Sequence, residues 1–371
     1  MDLLPVDLER FWKDDALAHE ENCFSLNAPQ TAFGIRMSDE CVFAELGEAG
    51  APWAHTPLGR RVELNKRYND KAEKIVGKRL LREEFAPPGS HLPEIKRIGE
   101  VFGGRYTWFN DTEWLESGIN GPKALEARLD MIDKLDLRAF ILPRDWEEQC
   151  KIKFERYGAR PGTIHGVRGP ATLACSVYGI ENLIYLIQDA PELAKRFSGT
   201  IASVIIQIAE IMDEEAGVSG NSFGFGFNDD NCCMLNAEMY EFFAYPILKR
   251  VFDRFCPEPQ HWRYQHSDSA MEHLLPVLGK LGFHGVNFGP TVTIDKIREY
   301  MPKTRIDGCI APFTFMGGDR GKLIGEVKRD CEMAKRYGRG VNICTAGSIN
   351  DGSSLENMRA AMWAVCEYGR Y

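Results

Sequence analysis

A repeated alternation that starts near residue 160 constrains this chain more than any other feature. A short, mostly apolar run ends in Gly, Pro, Asp or Ser, and an amphipathic stretch with helical period follows. The runs are residues 163–168, 221–227, 261–265, 285–288, 306–311 and 340–344. A strand buried on both faces reads this way, because neither face is left for polar residues. Between the runs, residues 190–215 align Leu193, Phe197, Ile201, Val204, Ile205, Ile208 and Ile211 on one helical stripe. Residues 236–255 do the same with Met239, Phe242, Phe243, Ile247 and Val251. The stretch 353–368 opens on Ser353-Ser354-Leu355-Glu356, which fits a capping box with Ser353 and Glu356 in the outer positions.

Strands that alternate with crossover helices pair in parallel. Two more units before residue 160 would complete a (β/α)8 barrel. The candidate strands there are 32–37 and either 106–110 or 139–142, with helices over 65–81 and 121–135. We therefore expect an α/β fold, a (β/α)8 TIM barrel over 91–371. Residues 1–90, with a Pro- and Gly-rich loop at 85–90, form an N-terminal extension packed on it. A doubly wound open sheet is the alternative.

The 371 residues are 44% hydrophobic, enough for a large core. The formal net charge of −9 repels phosphate backbones, so no nucleic-acid partner is expected, while a small anionic substrate remains compatible. No run approaches the 18 or so apolar residues of a membrane span. The first thirteen residues have no apolar core of signal-peptide length, so we expect a cytoplasmic protein. The 11 cysteines are scattered and odd in number, which reads as buried, reduced thiols rather than a disulfide framework.

In such barrels the site forms on the loops after the strands. The run 163–168 ends in Arg168-Gly169-Pro170. The next ends in Asn228-Asp229-Asp230-Asn231, and the third in His266-Ser267-Asp268. Asp229 and Asp230 are adjacent after a β run, so they point to opposite faces and one can face the barrel mouth. A carboxyl buried there has a raised pKa and can donate a proton. Capping the helix near Asn236 is the competing role. His266 suits an acid, a base or a metal ligand. Asp268 fits the same site, or the cap of a helix near Ala270. Arg168 fits a carboxylate or phenolate oxygen, or a structural ion pair. His165 fits the mouth or the core. Cys232-Cys233 lacks a second Cys or His cluster at finger-like spacing. Phe223-Gly224-Phe225-Gly226-Phe227 has no following Lys-Ser/Thr, so close backbone packing explains it better than a phosphate cradle.

Several segments occur in a familiar order. They are Gly179-Ile180-Glu181-Asn182-Leu183 with Ala190-Pro191-Glu192, then Asn228-Asp229-Asp230, Asn236-Ala237-Glu238-Met239 and Tyr245-Pro246-Ile247-Leu248-Lys249-Arg250. His266, residues 278–285 and Ser353-Ser354-Leu355-Glu356-Asn357 follow. Over about 163–369 the chain resembles the uroporphyrinogen decarboxylase superfamily. The resemblance implies a (β/α)8 barrel and one of three activities. Decarboxylases of uroporphyrinogen carry an Arg-rich N-terminal stretch. The nearest one here, Gly34-Ile35-Arg36-Met37, lacks the second Arg. Thiol methylases bind zinc through a His-x-Cys pair and a later Cys between glycines. Here the pair is His266-x-Asp268 and Gly347 stands at the later position, with Cys344 three residues earlier. His266, Asp268 and a third carboxylate or water remain a weaker metal set, and no bound metal is expected.

The third activity passes a substrate methyl group to the cobalt of a separate corrinoid protein. This branch is the closest in character. It implies a methyltransferase acting on a small methylated substrate, with an aromatic methyl ether as the leading class. Its cofactor is a corrinoid (cobalamin) carried by a partner protein. The expected catalytic residues are Asp229, Asp230 and His266, and the expected substrate-binding residues are Arg168, Asn228, His165, Asp268, Phe227 and Phe313. A decarboxylase of a uroporphyrinogen-like substrate is the runner-up.

Overall fold

The computed structural model describes residues 3–109, 112–218 and 224–371. Its strands in chain order are β1 (Ala32–Phe33), β2 (Arg105–Phe109), β3 (Thr112–Glu116), β4 (Gly166–Arg168) and β5 (Gly224–Asn228). There follow β6 (Trp262–Ser267), β7 (Gly285–Phe288), β8 (Arg305–Asp307) and β9 (Val341–Ile343). From β4 onward helices separate the strands: Pro191–Glu215 before β5, Tyr245–Phe255 before β6, Ile294–Tyr300 before β8 and Arg320–Tyr337 before β9. This is the α/β alternation that the sequence predicts. Residues 221–223 of the second run lie outside the described residues.

The chain divides into two compact units. One comprises Met1–Phe85, His266–Leu275 and Gly282–Tyr371, and the other Ala86–Gln265 and Pro276–Leu281. In the first, the strands run in the order β1-β9-β8-β7, all parallel. All four residues of β7 are buried, as an apolar run covered on both faces should be. Helix Leu355–Tyr368 buries Leu355, Met358, Ala361, Met362 and Val365. Its cap is Ser354, whose side chain accepts from the Asn357 N–H at 3.1 Å. The N-cap is thus Ser354 rather than the expected Ser353, and the Ser353–Glu356 capping box is not formed.

In the second unit, β4 and β5 pair in parallel and Arg168 is the register partner of Asn228. Helix Pro191–Glu215 buries Phe197, Ile201, Val204, Ile205 and Ile208, the stripe expected. The stretch 236–255 is two helices rather than one, Ala237–Phe243 and Tyr245–Phe255. Pro246 sits in the first turn of the second helix, where its missing N–H costs nothing. Residues 139–142 are not a strand. Most of them lie in helix Leu137–Ile141, whose N-cap Asp136 accepts from the Ala139 N–H at 3.0 Å. The run 106–110 falls in β2, with Asn110 outside the described residues, but β2 pairs antiparallel with β3 as a separate hairpin.

No single helix among the described residues is long and apolar enough to cross a membrane. Helices Pro170–Tyr178 and Ile180–Asp189 pass that test only jointly and are bent by 102°. Their apolar residues Leu173, Ala174, Val177, Leu183 and Leu186 are buried in the core.

Candidate active site

In the second unit a cavity of about 510 Å³ opens where β4 and β5 end. Arg168, Asn228 and Asp230 line it with Thr172 and Ser176 of helix Pro170–Tyr178 and with Glu113 and Trp114 of β3. Register places Arg168 and Asn228 side by side at the strand ends. The Arg168 Nη1 donates to Ser176 Oγ at 2.9 Å, and Ser176 donates to the Thr172 carbonyl at 2.8 Å. The helix thus orients the guanidinium. Glu113 is gripped by Arg97, with Nη1 to Oε2 at 2.6 Å and Nη2 to Oε1 at 2.9 Å. That bond holds its carboxyl below the usual range. The pocket offers one guanidinium, two carboxylates and an indole, a set that can orient a small oxygen-bearing ring.

The two adjacent aspartates separate. Asp229 is fully buried and does not line the pocket. Its Oδ1 accepts from the Thr172 N–H at 2.8 Å and its Oδ2 from the Tyr240 hydroxyl at 3.2 Å. Thr172 is the third residue of a helix whose N-cap, Gly169, has no side chain to offer. Asp229 therefore supplies the missing cap from the neighbouring strand. Space for it comes from Gly169, because a Cβ built there would lie 2.2 Å from the Asp229 Cβ. Burial pushes the Asp229 carboxyl up to about 6, against the two hydrogen bonds that stabilise its charge. The structure thus corrects the expectation of a pocket-facing acid at Asp229. It is a positioning residue for the helix that carries Thr172 and Ser176. Neither aspartate caps the helix at Ala237. Asn236 does, accepting from the Met239 N–H at 2.8 Å.

Two further expectations are corrected in this unit. His165 precedes β4, at the end away from the loop that follows it, with its Nε2 2.8 Å from Asp213 Oδ1. Its ring lies 5.5 Å from that of Phe255 and 6.0 Å from that of Phe225. It is a hydrogen-bond partner of Asp213 and does not line the pocket. Phe227 is 1% exposed, 5.2 Å from the Phe225 ring and 5.4 Å from that of Phe252, so it belongs to the core. The aromatic wall is Trp114, 57% exposed. Gly224 confirms the close-packing reading of its segment, since a Cβ there would meet the Trp262 Cβ at 2.7 Å.

In the first unit, His266 Nδ1 lies 2.7 Å from Asn287 Oδ1. The Asn287 Nδ2 donates to the carbonyls of Asp307 and Thr345, which fixes the amide's orientation. Its oxygen must therefore accept from His266. The imidazole presents an N–H at Nδ1 to this oxygen. Asp268 is exposed beyond the end of β6, and the cap of the turn at Glu272 is Met271, so Asp268 does not fill that role. A Cβ built at Gly347 would lie 3.3 Å from Asp268 Oδ2 and 3.3 Å from the Pro312 ring. Phe313, the next residue after Pro312, is 75% exposed.

Sequence reasoning missed Thr172, Ser176, Glu113, Trp114 and Asn287. For the hairpin a signal exists, since Tyr106, Trp108, Trp114 and Leu115 sit in an alternating segment interrupted by Asn110-Asp111. For Asn287 a signal was also present: a polar residue inside an apolar strand needs a partner.

A solved methyltransferase from Methanosarcina mazei is similar in structure, with a TM-score of 0.51 at 17% identity over 83% of this chain and 86% of that one. A protein from Listeria monocytogenes described as a vitamin-B12 independent methionine synthase aligns over 90% of this chain and 95% of its own. Its identity is 11% and its TM-score 0.41. A search of curated proteins returns no match. The family described as uroporphyrinogen decarboxylase (URO-D) matches residues 148–368, more than half of the chain. With its parallel strands and crossover helices, the chain belongs to the uroporphyrinogen decarboxylase family and has that family's (β/α)8-barrel fold.

Proposed function

We propose that the protein is the methyl-abstracting component of a demethylase. It moves a methyl group from a small methylated substrate, an aromatic methyl ether in our reading, to the cobalt of a corrinoid-carrying partner protein. The observation that carries this reading is the replacement of both thiolate positions that the family resemblance implies for thiol methylation. Asp268 and Gly347 stand there, and the Cβ position of Gly347 is 3.3 Å from the Asp268 carboxylate. Desolvation pushes the nearby-numbered Cys344 thiol well above its usual range, so it is no thiolate substitute. These donors do not fit a thiolate-bound zinc.

The reduced cobalt of the partner supplies the nucleophile. What remains for this chain is the leaving group. A phenol has a pKa near ~10, so an unassisted phenolate leaves poorly at neutral pH. Arg168, oriented by Ser176, holds the ether or phenolate oxygen, and Asp230 on the same cavity wall delivers the proton. Trp114 gives the ring a face to stack on. In this reading His266, held through Nδ1 by Asn287, is the candidate acid–base residue of the first unit. Decarboxylation of a substrate with many carboxylates is disfavoured, because a single guanidinium among two carboxylates lines this cavity.

The test is a demethylation assay with a panel of methyl ethers and a reduced corrinoid protein. The expected result is a methylated corrinoid and a stoichiometric phenol, both dependent on the corrinoid protein. Carbon dioxide release from a carboxylated substrate without any partner overturns the reading.

A further inference from the structure

We infer that the first unit carries a second ligand site, a cavity that takes a small organic anion with an apolar body between Lys78 and Arg36. It shares no residue with the Arg168 cavity and does not rest on the reading of that one.

The cavity has a volume of about 560 Å³, within the range of small-molecule sites. Its apolar walls are Trp12, Met37, Leu80 and Met358. Four cationic side chains line it, and charge bookkeeping separates them. His19 is 3.5 Å from Asp15, and this hydrogen bond, aided by Cys23, pushes its imidazole up to about 10. The result is a neutral ion pair. Arg79 is shared among Asp70, Glu73 and Glu83. Arg36 and Lys78 make no ion pair among the described residues. Lys78 instead lies over the Trp12 ring, 4.6 Å from its centroid. The indole is fixed by its own bond from Nε1 to the Val76 carbonyl at 2.7 Å.

Two uncompensated cations thus sit against apolar walls, in a chain whose formal net charge is −9. Two cations that flank one cavity favour an anion on charge grounds. The apolar walls favour an anion with a ring or branched body over a bare inorganic one. A carboxylate meets both requirements, because its two oxygens can bridge an ammonium and a guanidinium.

The experiment is isothermal titration calorimetry with benzoate as the probe. Benzyl alcohol serves as the uncharged analogue and inorganic phosphate as the anion without a body. Benzoate is expected to bind with one-to-one stoichiometry and more tightly than either control. Lys78→Met and Arg36→Met are each expected to weaken it roughly ten-fold, and Arg168→Met to leave it unchanged. Both substituted side chains are exposed, so the fold should persist. As a measurement that needs no variant, saturating benzoate should slow acetylation of Lys78 more than that of Lys74, read by mass spectrometry. The inference falls if the benzoate heat vanishes in Arg168→Met but survives both cation variants. It also falls if phosphate binds as tightly as benzoate, if no saturable binding occurs, or if Lys78 and Lys74 acetylate alike with the probe present.

Discussion

The corner around Asp229 and the cavity wall around Asp230 begin one residue apart and follow different physics. At the corner a carboxylate is sealed from water, carries two hydrogen bonds and holds a helix onto a strand. At the wall a half-buried carboxylate shares a cavity with a guanidinium and an indole. The first arrangement contributes stability and geometry, and the second contributes chemistry in the function proposed above. Adjacent residues of the same type can therefore have non-exchangeable roles once the backbone turns between them.

Substitutions can break this contrast. The largest effect is expected from Asp229→Ala. It removes the helix cap and one partner of the buried Tyr240 hydroxyl, a loss of about 2–4 kcal/mol in chemical denaturation. A change under about 0.5 kcal/mol would place Asp229 among ordinary surface groups instead. Next is a pH effect. The Asp229 carboxyl is raised from 3.8 to about 6 in the folded state. Its contribution to stability is thus fully present below about pH 4 and is lost as pH climbs through about 6. The stability gap between the wild type and Asp229→Asn should shift against the wild type by about 1–3 kcal/mol over that window. A gap that stays constant, or moves the other way, contradicts the assigned shift.

Asp230→Asn should cut demethylation at least ten-fold, the low side of what a lost general acid costs, with stability held within about 0.5 kcal/mol. Equal losses of activity and stability would erase the distinction between corner and wall. The smallest effect is expected at Trp114→Ala, a several-fold rise in KM with kcat nearly unchanged, as loss of one stacking face implies. A fall in kcat with KM unchanged would show that the indole acts on the transition state rather than on binding.

The strands from Gly166 onward were legible because a run covered on both faces must be apolar throughout, and β7 matches its predicted span. Four apolar or aromatic residues at 139–142 read as a strand, but Asp136, three residues before Ala139, caps a helix over them. The break at Ala244 was written in Pro246. At the site, Arg168, Asn228 and Asp230 were found by position at strand ends. The sorting of Asp229 from Asp230 was not legible. It depends on the missing side chain of a residue 60 positions earlier, Gly169, and no local pattern reports that. Trp114 and Glu113 were missed because a hairpin outside the strand–helix repeat supplies them.

The packing of Gly169 against Asp229 also limits how this site can be altered. The Cβ of position 229 occupies the volume that any side chain at 169 would need. Variation sampled one position at a time will find residue 169 immovable, while Trp114 on the hairpin is exposed and can be exchanged without disturbing the core. Remodelling the substrate range of such a barrel is thus a matter of swapping hairpins, with the corner beneath them left alone.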